Sequence, residues 1–218
     1  MKSASIICLA VLAFDSSAAR AQAPPPPTGL DRFATFNIGP TFTHKTGALF
    51  GVEFGWPLNL SWDVVVEGGR MLNADTSDLH AAASIITDYL ASTEGSAGFK
   101  ARQPATYIDG GLRYKVPATG RFLPYVGLNI GVARVTRKVT FIVNDNDVTT
   151  QLLDNFGVQL GTDLAGHETK PLIMFGLGAQ FNIRWALLGD VSYRYAHVFL
   201  SPSGLNTNRL QFGVGKRF

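Results

Sequence analysis

The sequence predicts an all-β protein, an eight-stranded antiparallel up-and-down transmembrane β-barrel. Three observations carry this reading. Eight segments between residues 32 and 218 alternate apolar with polar or small residues, the period-2 pattern of a strand with two different faces. The 218 residues include 15 Phe and 23 Gly and are only 16% charged, yet mean hydropathy is just +0.12. That blend suits strands with one face in lipid and the other in a lumen. Beyond the amino terminus no run reaches the roughly 18 apolar residues that a spanning helix needs.

The amino terminus has the order of a secretory signal: Lys2, an apolar stretch at 6–14, then small-x-small sites at Ala19-Arg20-Ala21 and Ala21-Gln22-Ala23. Cleavage is expected after Ala21, because the later site would put Pro24 directly behind the cut. The expected organisation is a signal peptide over 1–21, a Pro-rich linker over 22–31 and the barrel over 32–218. Cys8 is the single cysteine and lies inside the signal, so the mature chain has no disulfide and no Cys-based metal site. Losing Lys2, Arg20 and Asp15 lowers the net charge from +3 to +2. The excess is small and forms no stripe along any one segment, so nothing points to nucleic acid.

The strands follow in order. The first, about 32–43, sets Ala34, Phe36, Ile38 and Phe42 against Thr35, Asn37, Gly39 and Thr41. The second, about 48–56, sets Phe50, Val52, Phe54 and Trp56 against Gly51, Glu53 and Gly55. After the turn Pro57-Leu58-Asn59, the third (59–71) sets Trp62, Val64 and Val66 against Asp63, Val65, Glu67 and Gly69. Residues 72–103 break the pattern. Leu79, Ala82, Ala83, Ile86 and Leu90 recur there at helical spacing, so a solvated helix over 76–92, capped by Thr76 or Ser77, is expected inside a long loop. The fourth strand (104–115) sets Ile108, Leu112 and Tyr114 against Tyr107, Asp109, Gly111, Arg113 and Lys115. A turn at 117–120 leads to the fifth (121–136). Residues 137–169 read as a second long loop, with Asn144-Asp145-Asn146-Asp147 as its clearest turn. The sixth (170–182) and seventh (186–199) follow, the latter setting Val191, Tyr193, Tyr195 and His197 against Asp190, Ser192, Arg194 and Ala196. The last, 206–218, puts Leu210, Phe212, Val214 and Phe218 on an apolar face and Arg209, Gln211, Gly213, Gly215 and Arg217 on the other. Connections near 57, 117 and 184 are tight, while both long loops lie at the opposite end, the asymmetry of bacterial outer-membrane barrels.

Pro124-Tyr125-Val126-Gly127-Leu128-Asn129-Ile130-Gly131, Tyr193-Arg194-Tyr195 and the closing strand resemble the small OmpA-like outer-membrane barrel superfamily. The resemblance implies an outer-membrane location with both termini periplasmic, and says little of activity, since one barrel hosts many functions. It also implies contact with outer-membrane lipid and lipopolysaccharide. Leu210, Phe212, Val214 and Phe218 then become a closing-strand signal for the barrel-assembly machinery, and a monomer is expected.

The polar face carries Glu53, Asp63, Glu67, Asp109, Arg113, Asp190, Arg194, Arg209 and Arg217 together with most strand glycines. Small residues suit a crowded interior, and eight strands enclose only a narrow one. That face is therefore the lumen, and a lipocalin-like soluble barrel is disfavoured. Buried charges need partners, so these residues are expected to form a carboxylate–arginine network, with Glu53 near Asp63 and with Asp190 and Arg194 near Arg209 and Arg217. No metal or cofactor is expected: His44, His80, His167 and His197 lack ligand spacing, and no phosphate-binding loop is present. Lipid A deacylases of this architecture carry His-x-Ser on a late strand and a Glu downstream. Here His197 is followed by Val198 and Phe199, Ser201 is displaced, and no Glu follows Glu168. The expected role is non-enzymatic, in envelope integrity or surface interaction through loops 72–103 and 137–169. A small-solute channel is the alternative, and a lipid A-modifying enzyme the third reading.

Overall fold

The computed structural model describes residues 30–116, 122–161, 164–184, 186–201 and 204–218. The signal peptide expected over 1–21, nearly all of the linker expected over 22–31 and the turn at 117–120 lie outside the described residues.

Alternation produces the strands. They are β1 (Phe33–Phe42), β2 (Thr46–Pro57), β3 (Trp62–Met71), β4 (Ala97–Arg102), β5 (Ala105–Lys115), β6 (Phe122–Val143), β7 (Asn146–Asp147), β8 (Gly166–Arg184), β9 (Leu187–Val198) and β10 (Leu205–Arg217). Eight of these form an antiparallel ring in the order β1-β2-β3-β5-β6-β8-β9-β10. β10 pairs back on β1, with Phe36 opposite Val214 and Phe33 opposite Arg217. Closure leaves the ring no unpaired edge. The third strand begins at Trp62, not at 59. Asn59 belongs to the turn, where its Oδ1 accepts from the backbone N–H groups of Ser61 and Trp62, both at 2.9 Å.

Burial separates the two faces. On β1, Thr35 and Asn37 are 2% and 1% exposed, while Phe36 and Ile38 are 53% and 51% exposed. The outward face is a continuous apolar belt around the ring, and a surface of that extent needs lipid. On β6 it runs from Phe122 to Val132, about 33 Å of strand, or about 25 Å of height at a 40° tilt. No helix among the described residues is long and apolar enough to cross a membrane.

The two long connections are more ordered than their sequences suggest. β6 continues past the ring to Val143, and β8 starts at Gly166 instead of 170. Beyond the ring, β6 pairs with β4 on one edge and with β7 through a two-residue turn. Asn144 and Asp145 take φ of 49° and 64° there, as a type I′ hairpin turn requires. The helix α1 (Ser77–Glu94) is capped by Thr76, whose hydroxyl accepts from the Leu79 N–H at 3.3 Å. It is not a solvated helix. Leu79, Ala83 and Leu90 bury one face against Val139, Phe141 and Val143 of extended β6. A short helix α2 (Leu152–Phe156) contributes Leu152 to the same core. The long loops thus fold into a layer with its own apolar core, set on one end of the barrel.

Candidate functional site

The lumen gathers the polar side chains. Parity along each strand aims them inward, and every charged residue expected there is buried: Glu53, Asp63, Glu67, Asp109, Arg113, Asp190, Arg194, Arg209 and Arg217. Lys115 joins them, so five carboxylates meet five cations among the described residues of this network.

Register creates the central problem. Glu53 lies directly opposite Glu67 in the β2–β3 ladder, and Glu67 lies opposite Asp109 in the β3–β5 ladder. Three carboxylates in a row repel one another. Arg194 resolves this from across the lumen. Its guanidinium donates to Glu53 Oε2 at 2.5 Å and makes a second ion pair with Glu67. Arg113 donates to the other Glu53 oxygen at 2.6 Å. Glu67 also accepts from the Tyr107 hydroxyl at 2.6 Å and from Gln211 at 3.1 Å.

Several expected pairings take other partners. Asp63 does not serve Glu53's group but pairs with Lys115 at 2.6 Å. Asp190 meets neither Arg209 nor Arg217. It sits opposite Gly213, and both its oxygens accept from the Tyr125 hydroxyl at 2.9 Å. Asp109 accepts from Asn129 at 2.6 Å. Arg194 and Arg209 stand directly opposite each other on β9 and β10. That juxtaposition is tolerable because Arg194 turns to the glutamates and Arg209 lies over the Tyr107 ring, 4.6 Å from its centroid. Arg113 similarly lies 3.9 Å from the Tyr125 centroid, and Arg217 donates to Gln180 at 2.9 Å. The sequence reading missed the tyrosines and amides as members. Their placement on the polar face of an otherwise aromatic-outward strand was the available signal.

Glycines make room for these large groups. A Cβ at Gly69 would lie 2.6 Å from the Tyr107 oxygen, one at Gly178 2.7 Å from the Tyr125 oxygen, and one at Gly55 2.0 Å from the Phe33 ring. The result is a filled interior. One cavity in it, between Glu53, Arg113, Tyr125 and Arg194, holds about 10 Å³, about the space of one water. Toward the layered end the lumen turns apolar: Leu49, Met71, Val135, Leu172, Val198 and Leu205 close it. The lumen is therefore charged in its middle and apolar at the layered end.

On the outer face of the ring, His197 Nδ1 donates to Asn206 Oδ1 at 2.7 Å, and its ring packs edge-on against Phe199 at 4.6 Å. Tyr195 donates to the same Asn206 oxygen at 2.8 Å and Tyr193 to Asn208 at 2.6 Å. His197 thus belongs to an aromatic–amide rim. No group of three His, Cys, Asp or Glu among the described residues is arranged to hold a metal.

A closed eight-strand ring, an apolar outer belt and a packed polar interior define a small transmembrane β-barrel. The family model for the outer membrane protein beta-barrel domain matches residues 6–218, and the chain belongs to that family. Its fold is similar to that of Neisserial surface protein A, with a TM-score of 0.54 and 13% identity over 88% of this chain and 98% of that one. The attachment invasion locus protein of Yersinia pestis matches at TM-score 0.47 and 12% identity, over 86% and 97% of the two chains. The N-terminal β-barrel domain of Pseudomonas aeruginosa OprF matches at 0.46 and 13%, over 85% and 97%. No curated protein matches the chain in sequence.

Proposed function

We propose that this outer-membrane barrel is non-catalytic and acts in envelope integrity or surface contact, with its folded loop layer facing the cell exterior and both termini in the periplasm. The observation that supports this reading is the contrast between the two halves of the molecule. Among the described residues, the cavity between Glu53, Arg113, Tyr125 and Arg194 holds only about 10 Å³, and apolar side chains gather at the layered end of the lumen. The long connections, by contrast, form a packed platform of α1, β4, β7 and α2. The layer presents a surface, and the narrow cavity described above does not favour solute passage. An acyl-ester hydrolase needs a nucleophile beside a positioned base, and the residue two positions after His197 is Phe199, which has no hydroxyl and packs on the His197 ring.

Planar-bilayer recording of the refolded protein tests this. Electrical silence is the expected result. Steady, reproducible conductance steps would replace it with the channel reading.

A further inference from the structure

The outward faces of the ring strands carry no carboxylate among the described residues, and their cations are not spread evenly. Arg70 on β3 is opposite Thr106 on β5, Thr106 is opposite Arg134 on β6, and Arg134 is opposite Thr169 on β8. These four form one continuous row across four neighbouring strands. On each strand it lies one or two outward positions past an apolar residue of the belt: Val66 on β3, Ile108 on β5, Val132 on β6 and Ile173 on β8, with Gly68 and Pro171 between; exposed Leu72 follows Arg70. Directly above it, Arg102 of β4 stands opposite Lys138 of β6, and Lys100 opposite Thr140. Arg70, Lys100, Arg102, Arg134 and Lys138 are all exposed. No ion pair among the described residues engages any of them. Two strand spacings separate Arg70 from Arg134, about 10 Å, and four residues separate Arg134 from Lys138, about 13 Å.

We infer that this patch binds the phosphorylated headgroup of a membrane amphiphile in the leaflet at the layered end. The height is that of headgroups, one step beyond a belt of about 25 Å. The chemistry is that of phosphate recognition: arginine forks for paired oxygens, threonine hydroxyls between them, and nothing anionic on the strand face to compete. Two cation clusters about 13 Å apart suit a headgroup with two phosphates better than one. This rests on the orientation proposed above. With the layer outward, the leaflet is the outer one and the amphiphile is a bis-phosphorylated glycolipid.

The test is native mass spectrometry of the protein refolded in micelles with bis-phosphoryl lipid A, its dephosphorylated form or phosphatidylglycerol. The wild type and Lys216→Gln, altered at the opposite end of the barrel, should retain bis-phosphoryl lipid A. The triple variant Arg102→Gln/Arg134→Gln/Lys138→Gln should retain about tenfold less, with its heat-modifiable electrophoretic shift confirming a folded barrel. Equal retention by the triple variant, or equal retention of the dephosphorylated lipid, overturns the proposal. Orientation is read separately, by maleimide labelling of Ser92→Cys in intact cells. Labelling supports the glycolipid. Failure to label overturns the orientation and the glycolipid assignment, while an adduct lost in the triple variant still supports an anionic-headgroup patch.

Discussion

Arg194→Met is the most informative single change to the barrel. Arg194 is 3% exposed and compensates two carboxylates that the β2–β3 register forces face to face. Methionine fills much of the same volume, so the loss is mainly electrostatic and not that of a cavity. Glu53 keeps Arg113 at 2.6 Å. Glu67 keeps only neutral donors, Tyr107 at 2.6 Å and Gln211 at 3.1 Å. An uncompensated buried carboxylate beside a second one should cost about 3–5 kcal/mol. Adding Glu67→Gln removes that charge and leaves the Glu53–Arg113 pair whole. The double variant should therefore recover about 2–3 kcal/mol relative to additivity. Urea-dependent folding into lipid vesicles, followed by tryptophan fluorescence and by the heat-modifiable electrophoretic shift, measures both quantities. A single variant within about 1 kcal/mol of wild type, or a strictly additive double, would refute the account of Arg194 as the compensating cation.

Two further expectations concern space and the outer layer. Gly69→Ala puts a Cβ 2.6 Å from the Tyr107 oxygen and 2.9 Å from the Phe50 carbonyl oxygen. It should cost about 1–3 kcal/mol in the same vesicle assay, and a neutral result would show that Tyr107 shifts without loss. Phe141→Ala removes a fully buried ring from the core under α1, a change worth about 3–5 kcal/mol in a packed core. Because that core lies beyond the ring, the expected result is rapid proteolysis within residues 72–103 and 137–165 with the barrel's electrophoretic shift intact. Loss of the barrel itself would mean that the layer and the ring fold as one unit.

The ring was legible because its signal is local. Alternation assigns each of Phe36, Phe50, Val126 and Phe212 to the outside and each of Asn37, Glu53, Asn129 and Gln211 to the inside, with no knowledge of neighbours. The cap of α1 was equally local, since Thr76 acts on Leu79 three residues on. The layer beyond the ring was not legible. β4 is six residues with two glycine or alanine positions at its start, and its identity as a strand comes only from pairing with residues 138–143. The helix reads as solvated until Phe141, more than fifty residues later, is brought beneath it.

The same division runs through the lumen. Parity alone determined that the nine charged residues enter the interior, because a one-residue slip would turn every apolar side chain into it. Which charge meets which depended on closure. Arg194 reaches Glu53 across a separation of 141 residues, and Gln211 reaches Glu67 across 144. Such pairs are set by the stagger of the closed ring and by side-chain reach across it, not by any local pattern. Adjacent strands do set Glu53 against Glu67 and Arg194 against Arg209. Only the tertiary structure supplies the group on the far wall that makes each of those clashes bearable.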